Sequence, residues 1–401
     1  MAITIHQKPD DYTTGYNDQI YVLTSNQIGN SDFQYKFVCT DDITNSTITY
    51  TVPKYPVTGE GLFDAKIFSK KYLKHYIPNN EYGWQVCTDA FRKIDIELRE
   101  YYNGNTVAAS PPLTHDYFIW NGVLRVKDWP SFNYVDYVYN SATVALNHLN
   151  KLYNQKTFVD KSLFLYTLQS SNAGITGIGI TTYDANGNTI AYSTISNPYA
   201  TQTNYIQQYV CIDIGYKGLS QINPALVSGS YPIITNQVAS YQINDPGFDV
   251  PPFMTVTIEC EPKYDVYPVH YLANNGNFET IYFDKVSILS ERAEKTYYRQ
   301  NPYRLVNNTY TYSNFTPHER VLASAGQEAL QLNTNWLTEA EIAVHRELYT
   351  SPLVYVDFGL DGLIPYKVID TEAQVLKDFN QKLKGWTVTL EPTYKNRYQN
   401  G

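Results

Sequence analysis

The tyrosines of this chain fall where β-strands are written, and that placement restricts its fold more than any other feature. Thirty-nine of the 401 residues are Tyr, and many sit among Thr, Val and Ile, as in Thr47-Ile48-Thr49-Tyr50-Thr51-Val52 and Tyr134-Val135-Asp136-Tyr137-Val138-Tyr139. Aromatic and β-branched side chains fit a pleated, half-buried surface better than a helix. Tyr also carries a polar tip on an apolar ring, which suits surfaces half buried against another chain. The expectation is a mainly β protein with broad contact surfaces: two β-sandwich-like domains followed by a C-terminal α+β domain.

At 401 residues the chain has room for two or three domains of ~100–200 residues. Residues 1–125 read as an N-terminal sandwich of the immunoglobulin or fibronectin kind, 126–265 as a second β-rich domain with a long loop at 219–252, and 266–401 as the α+β domain. Within the first, 19–25, 33–40 and 43–52 have strand composition. Residues 94–99, Ile-Asp-Ile-Glu-Leu-Arg, alternate apolar and charged side chains as a strand with one wet face does, with 101–105 as the following turn. Asp64 is placed to cap a short helix, with Phe63 and Phe68 at staple spacing and Tyr72 and Tyr76 continuing the stripe. Pro111-Pro112 marks an edge before the middle region, where 142–153 reads as helical or mixed.

Further on, 175–183 and 189–194 flank Asp184-Ala185-Asn186-Gly187-Asn188, a strong hairpin signal. Residues 205–214 and 254–259 add strands. In the last region 278–284 reads as a strand, and Thr338 with Glu341 forms a capping box inside a Leu337–Ile342 staple. That helix should run to about Tyr349 and stop at Ser351-Pro352. Strands are expected at 353–358, 364–369 and 385–390.

The chemistry inventory is short. His6, His75, His115, His148, His270, His318 and His345 are scattered without ligand spacing, so no metal site is expected. Asp184, Asn186 and Asn188 begin like a calcium loop, but Thr189 and Ile195 stand where Gly and Glu are required. Gly174, Gly177 and Gly179 precede a strand and lack the dinucleotide pattern. Asp95 and Glu97 share a strand face that reads as solvated before it reads as a catalytic pair. Cys39, Cys87, Cys211 and Cys260 are widely spaced and read as buried free thiols. Trp336, beside the helix cap, reads as core. No catalytic, cofactor-binding or metal residue is nominated, and an enzyme is not expected. A net charge of −9 without a basic tract argues against a nucleic-acid partner. The start of the chain does not read as a secretory signal and no apolar run suits a membrane helix, so a soluble protein without a membrane partner is expected.

Several stretches together resemble structural proteins of crAss-like tailed bacteriophages of Bacteroidetes. They are Asp32-Phe33-Gln34-Tyr35-Lys36-Phe37 with Gly61-Leu62-Phe63-Asp64, residues 94–104, the 183–188 hairpin, Asn277-Phe278-Glu279-Thr280, Asn335-Trp336-Leu337-Thr338-Glu339-Ala340-Glu341, 347–355 and 364–369. The resemblance implies a tail hub or ring subunit. Its expected partners are copies of itself in a ring and other tail or portal-proximal virion proteins, and its location the virion tail after assembly in the host cytoplasm. Loop 219–252 is the candidate for reaching a neighbour. A receptor- or glycan-binding phage adhesin is the second reading, because Tyr and Trp platforms stack on sugars.

Overall fold

The fold is known from a computed structural model, which describes residues 3–78, 83–139, 148–170, 174–201, 204–246, 252–260, 262–301, 303–312, 318–359, 362–370, 383–394 and 396–397. The protein is mainly β, with short helices at Lys66–Ser69, Tyr216–Gln221 and, nearer the C-terminus, Glu339–His345. The chain divides into two compact units: Met1–Cys260 with Leu272–Glu279, and Glu261–Tyr271 with Thr280–Gly401.

The first unit holds two separate apolar cores. One lies between a five-stranded sheet, ordered Tyr12–Thr14, Asn105–Trp120, Phe91–Tyr102, Gln34–Asp41, Ser46–Pro53, and a three-stranded sheet of Ile3–Gln7, Ile20–Ser25 and Gly61–Asp64. Strict alternation along Gln34–Asp41 turns Tyr35, Phe37 and Cys39 inward, where they meet Tyr21, Leu23 and Phe63 from the opposing sheet. The rings of Phe37 and Phe63 stack with centroids 4.3 Å apart. This is the layered packing the period-2 pattern predicts.

The second core draws on a four-stranded sheet (Val138–Tyr139, Phe164–Gln169, Tyr209–Asp213, Trp84–Val86) and a six-stranded one. The six-stranded sheet runs Asn154–Phe158, Met254–Glu259, Ser240–Asn244, Gly177–Tyr183, Thr189–Ser196, Val227–Gly229. Residues 219–252 are therefore not one loop. They finish the helix Tyr216–Gln221 and supply two strands, of which Ser240–Asn244 lies in the middle of the sheet with Tyr241 and Ile243 fully buried. Five residues with two apolar side chains are too short a signal to stand out among Pro, Gly and Asn.

The segment Leu272–Glu279 completes this unit by hydrogen bonding. The Trp120 Nε1 donates to the Asn275 carbonyl at 2.9 Å, the Tyr209 hydroxyl to the Gly276 carbonyl at 3.0 Å, and the Asn275 side-chain amide to the Leu149 carbonyl at 2.9 Å. Gly276 has φ +91°, and a Cβ there would lie 2.6 Å from Asn121 Oδ1 and 2.8 Å from the Gly122 nitrogen. Only glycine fits that backbone.

Local departures from expectation have local causes. The Asp64 helix is a single turn, Lys66–Ser69; Asp64 accepts from the Gln19 and Lys66 nitrogens instead of capping a longer helix. Tyr72 and Tyr76 lie beyond it, donating to Ser46 and Gln85. Pro111-Pro112 lies inside the strand Asn105–Trp120, where the register with Phe91–Tyr102 jumps between Ala108 and Leu113. Proline, lacking an N–H, is tolerated at such a break. The turn after 94–99 narrows to Asn103-Gly104, both at positive φ. Residues 142–147 lie outside the described residues, and 148–153 form no helix.

The second unit is built on an eight-stranded sheet. Its order is Phe278–Phe283, Tyr267–Leu272, Val354–Asp357, Leu363–Val368, Thr387–Pro392, Glu319–Asn333, Ile288–Arg299, with Asn396–Arg397 also on Glu319–Asn333. The helix Glu339–His345 starts at the capping box as read from the sequence: Thr338 Oγ1 accepts from the Glu341 nitrogen, and Glu341 Oε2 from the Thr338 nitrogen. Leu337 and Ile342 are both buried. The helix tightens into 3-10 turns over Arg346–Thr350 before Ser351-Pro352.

Candidate functional site

Three of the scattered histidines are engaged in buried side-chain hydrogen bonds. The His115 Nδ1 lies 2.6 Å from the Tyr21 hydroxyl, the His270 Nδ1 2.9 Å from Thr280 Oγ1, and the His345 Nδ1 3.0 Å from the Tyr271 hydroxyl. All three histidines are buried. Burial, reinforced by Lys8 and opposed by Asp11 and Asp116, brings the His115 pKa down to about 4. Among the described residues no three His, Cys, Asp or Glu side chains converge on a possible metal position. Asp184 closes its hairpin by accepting from the Asn186 and Asn188 nitrogens and from the Asn188 side-chain amide.

Asp95 and Glu97 belong to a ladder of ion pairs on one strand face. Lys93 Nζ sits 3.0 Å from Asp95 and 3.3 Å from Asp116, and Arg99 grips Glu97 through two bonds of 2.8 and 2.7 Å. Burial pushes the Asp95 carboxyl up while Lys93 draws it back, and the bonds from Arg99 hold Glu97 below the usual carboxylate range. The face is half-buried, not freely solvated. Cys39, Cys87 and Cys211 are buried free thiols, but Cys260 is exposed.

The feature best suited to recognition lies in a stretch that composition alone left unread. The strands Ile288–Arg299 and Glu319–Asn333 form a long antiparallel ribbon, twelve residues against fifteen. Between them stands a smaller hairpin, Tyr303–Val306 with Thr309–Tyr312. Asn307 and Asn308 turn it, at φ 50° and 59°. That is the two-residue turn geometry whose twist matches the flanking strands.

This arm keeps large apolar side chains in water. Leu289, Tyr297, Tyr303, Leu305, Tyr310 and Leu322 are each more than half exposed, Tyr310 at 71%. The tyrosines include both buried and exposed rings, with Tyr55, Tyr153, Tyr192, Tyr231, Tyr264 and Tyr394 exposed outside the arm. Tyr21, Tyr35, Tyr117, Tyr166, Tyr209, Tyr241, Tyr271 and Tyr282 are almost fully buried, most with their hydroxyls bonded, whereas the arm displays Tyr297, Tyr298, Tyr303 and Tyr310. A sequence signal for the arm does exist, in the Asn307-Asn308 pair between Tyr-Arg-Leu-Val and Thr-Tyr-Thr-Tyr. Trp336 is a correction: it is 65% exposed, not core.

Compared with known proteins, the chain matches no family model and no curated protein.

Proposed function

We propose that this chain is a structural subunit of a tailed-phage virion, a tail hub or ring component of the kind its motifs resemble. Its task is to hold neighbouring protein chains, copies of itself and other tail or portal-proximal proteins, and not to catalyse. The arm carries this reading. Solitary exposed apolar residues are ordinary on a monomer, but a contiguous set is the signature of a contact surface, and interface centres are enriched in Tyr. Leu289, Tyr297 and Leu322 on the ribbon and Tyr303, Leu305 and Tyr310 on its hairpin are all exposed, and the Tyr303 and Tyr310 rings meet edge to face with centroids 6.5 Å apart.

The test pairs mass measurement of the purified chain with electron microscopy and peptide mass spectrometry of phage particles. The chain should assemble and be found in the particle near the portal. A stable monomer that is absent from particles refutes the proposal. The exposed Trp336 favours an adhesin as the second reading, since a solvent-facing indole can stack on a sugar ring. Binding on a glycan array that is lost in Trp336→Ala, with no chain in the tail hub, would select it.

A further inference from the structure

We propose that the outer edge of the strand Ile288–Arg299 pairs antiparallel with the same edge of a second copy of this chain, with Ala293 opposite Ala293 on a two-fold axis. The inference concerns oligomerisation alone and stands without the virion reading. Within the sheet, Ile288–Arg299 is the last strand, and among the described residues only Glu319–Asn333 pairs with it. Its other edge therefore offers a row of backbone donors and acceptors, the template that invites strand addition. The edge is also regular. The register break within the ribbon skips Leu322, on the inner strand, and leaves the outer strand uninterrupted.

The order of residue types along this strand selects the partner. It reads Ile-Leu-Ser-Glu-Arg-Ala-Glu-Lys-Thr-Tyr-Tyr-Arg. Turned around on Ala293, it complements itself at every step: Arg292 falls opposite Glu294, Glu291 opposite Lys295, Ser290 opposite Thr296, Leu289 opposite Tyr297 and Ile288 opposite Tyr298. Opposite charges and aromatic–aliphatic pairs directly across an antiparallel ladder stabilise it, and like charges destabilise it.

The neighbouring registers fail by the same rule. A slip of one residue sets Arg292 against Lys295, or in the other direction Glu291 against Glu294. A slip of two sets Glu294 against itself, or Arg292 against itself. Parallel in-register pairing sets every charge against its own kind. The apolar ends that this register would cover are the ones left in water: Ile288, Leu289 and Tyr297 are 52%, 66% and 56% exposed. The small side chain at 293 admits close approach at the axis. An isologous contact of this kind closes on itself and yields a dimer, not a filament.

Sedimentation velocity of the full chain over a concentration series tests this. The wild type is expected to shift with concentration toward twice the 46.0 kDa of one chain. Glu291→Lys sets lysine against Lys295 at both ends of the contact and should weaken dimerisation by about tenfold or more. The double variant Glu291→Lys/Lys295→Glu restores opposite charges and should return the affinity to within roughly threefold of the wild type. Within its own ribbon Glu291 lies across from Glu328, and a circular dichroism melt of Glu291→Lys matching the wild type shows that the variant keeps its fold. A wild type that stays monomeric overturns the proposal. So does an oligomer indifferent to Glu291→Lys, or one that the double variant fails to recover.

Discussion

Acid should loosen the first unit through a single buried imidazole. His115 is buried, its Nδ1 engaged by the Tyr21 hydroxyl at 2.6 Å and its ring stacked on Tyr117 at 5.4 Å. Among the described residues its Nε2 has no hydrogen-bond partner. A proton added there creates a charge with no acceptor, so the folded state binds it far more weakly than the unfolded chain does. The folded pKa is depressed, from 6.5 to about 4. For such a group the unfolded state binds more protons, so stability is full above the unfolded pKa and is lost as pH falls toward the folded one. Between pH 7 and pH 5 the loss from this residue is about 2 kcal/mol.

Asp213 acts in the opposite sense. Burial raises its pKa to about 6, so its contribution is present at low pH and lost as pH rises through that value. Only a comparison between variants isolates the histidine. The perturbation is His115→Asn, whose pH-independent cost of roughly 1–3 kcal/mol cancels when the two pH dependences are subtracted. Urea unfolding should be read by a brief deuterium pulse at fixed pH on peptides from Asn105–Trp120, because a chain of two units need not unfold in one step. The wild type should lose about 2 kcal/mol more than the variant between pH 7 and pH 5. Equal slopes would refute the reasoning.

Three further outcomes are expected. Phe37→Ala removes a ring buried between the two sheets and stacked on Phe63, and should cost ~3–5 kcal/mol in the same deuterium-pulse assay. Thr338→Ala deletes the acceptor of the Glu341 nitrogen and should destabilise the second unit by about 1 kcal/mol, seen as faster amide exchange over Glu339–His345. Replacing Tyr303, Leu305 and Tyr310 together by Ser should leave the circular dichroism melt unchanged, since all three are more than half exposed, yet abolish incorporation into particles in a phage complementation assay.

Legibility in the sequence followed the reach of the interactions involved. The Asp184 hairpin and the Thr338–Glu341 capping box close within five residues, and both form as written. The alternation of 94–99 gave the inward face, because period-2 burial is a property of one strand. Three features depended on partners far along the chain. Ser240–Asn244 is a strand because Gly177–Tyr183 and Met254–Glu259 enclose it. The Asp64 helix is one turn long, and beyond it the Lys74 nitrogen donates to the Asp89 carbonyl, a partner far along the chain. The ribbon is hard to read because charges and alanines along 288–299 and 319–333 mask the alternation, and apolar burial is confined to its end at Leu330 and Leu332. Trp336 misled for a related reason: a large indole beside a staple invites burial, but Leu337 and Ile342 already fill that place.

The hydrogen bonds to Leu272–Glu279 set a schedule for synthesis. The first unit needs residues 275 and 276 to satisfy Trp120 and Tyr209, yet the stretch 261–271 belonging to the other unit is translated before them. The nascent chain therefore carries two open polar sites past residue 260, for roughly one to four seconds at ordinary elongation rates. A fragment ended at 260 never closes them. Any attempt to obtain the first unit alone has to carry Leu272–Glu279 along, spliced on or supplied in trans as a peptide.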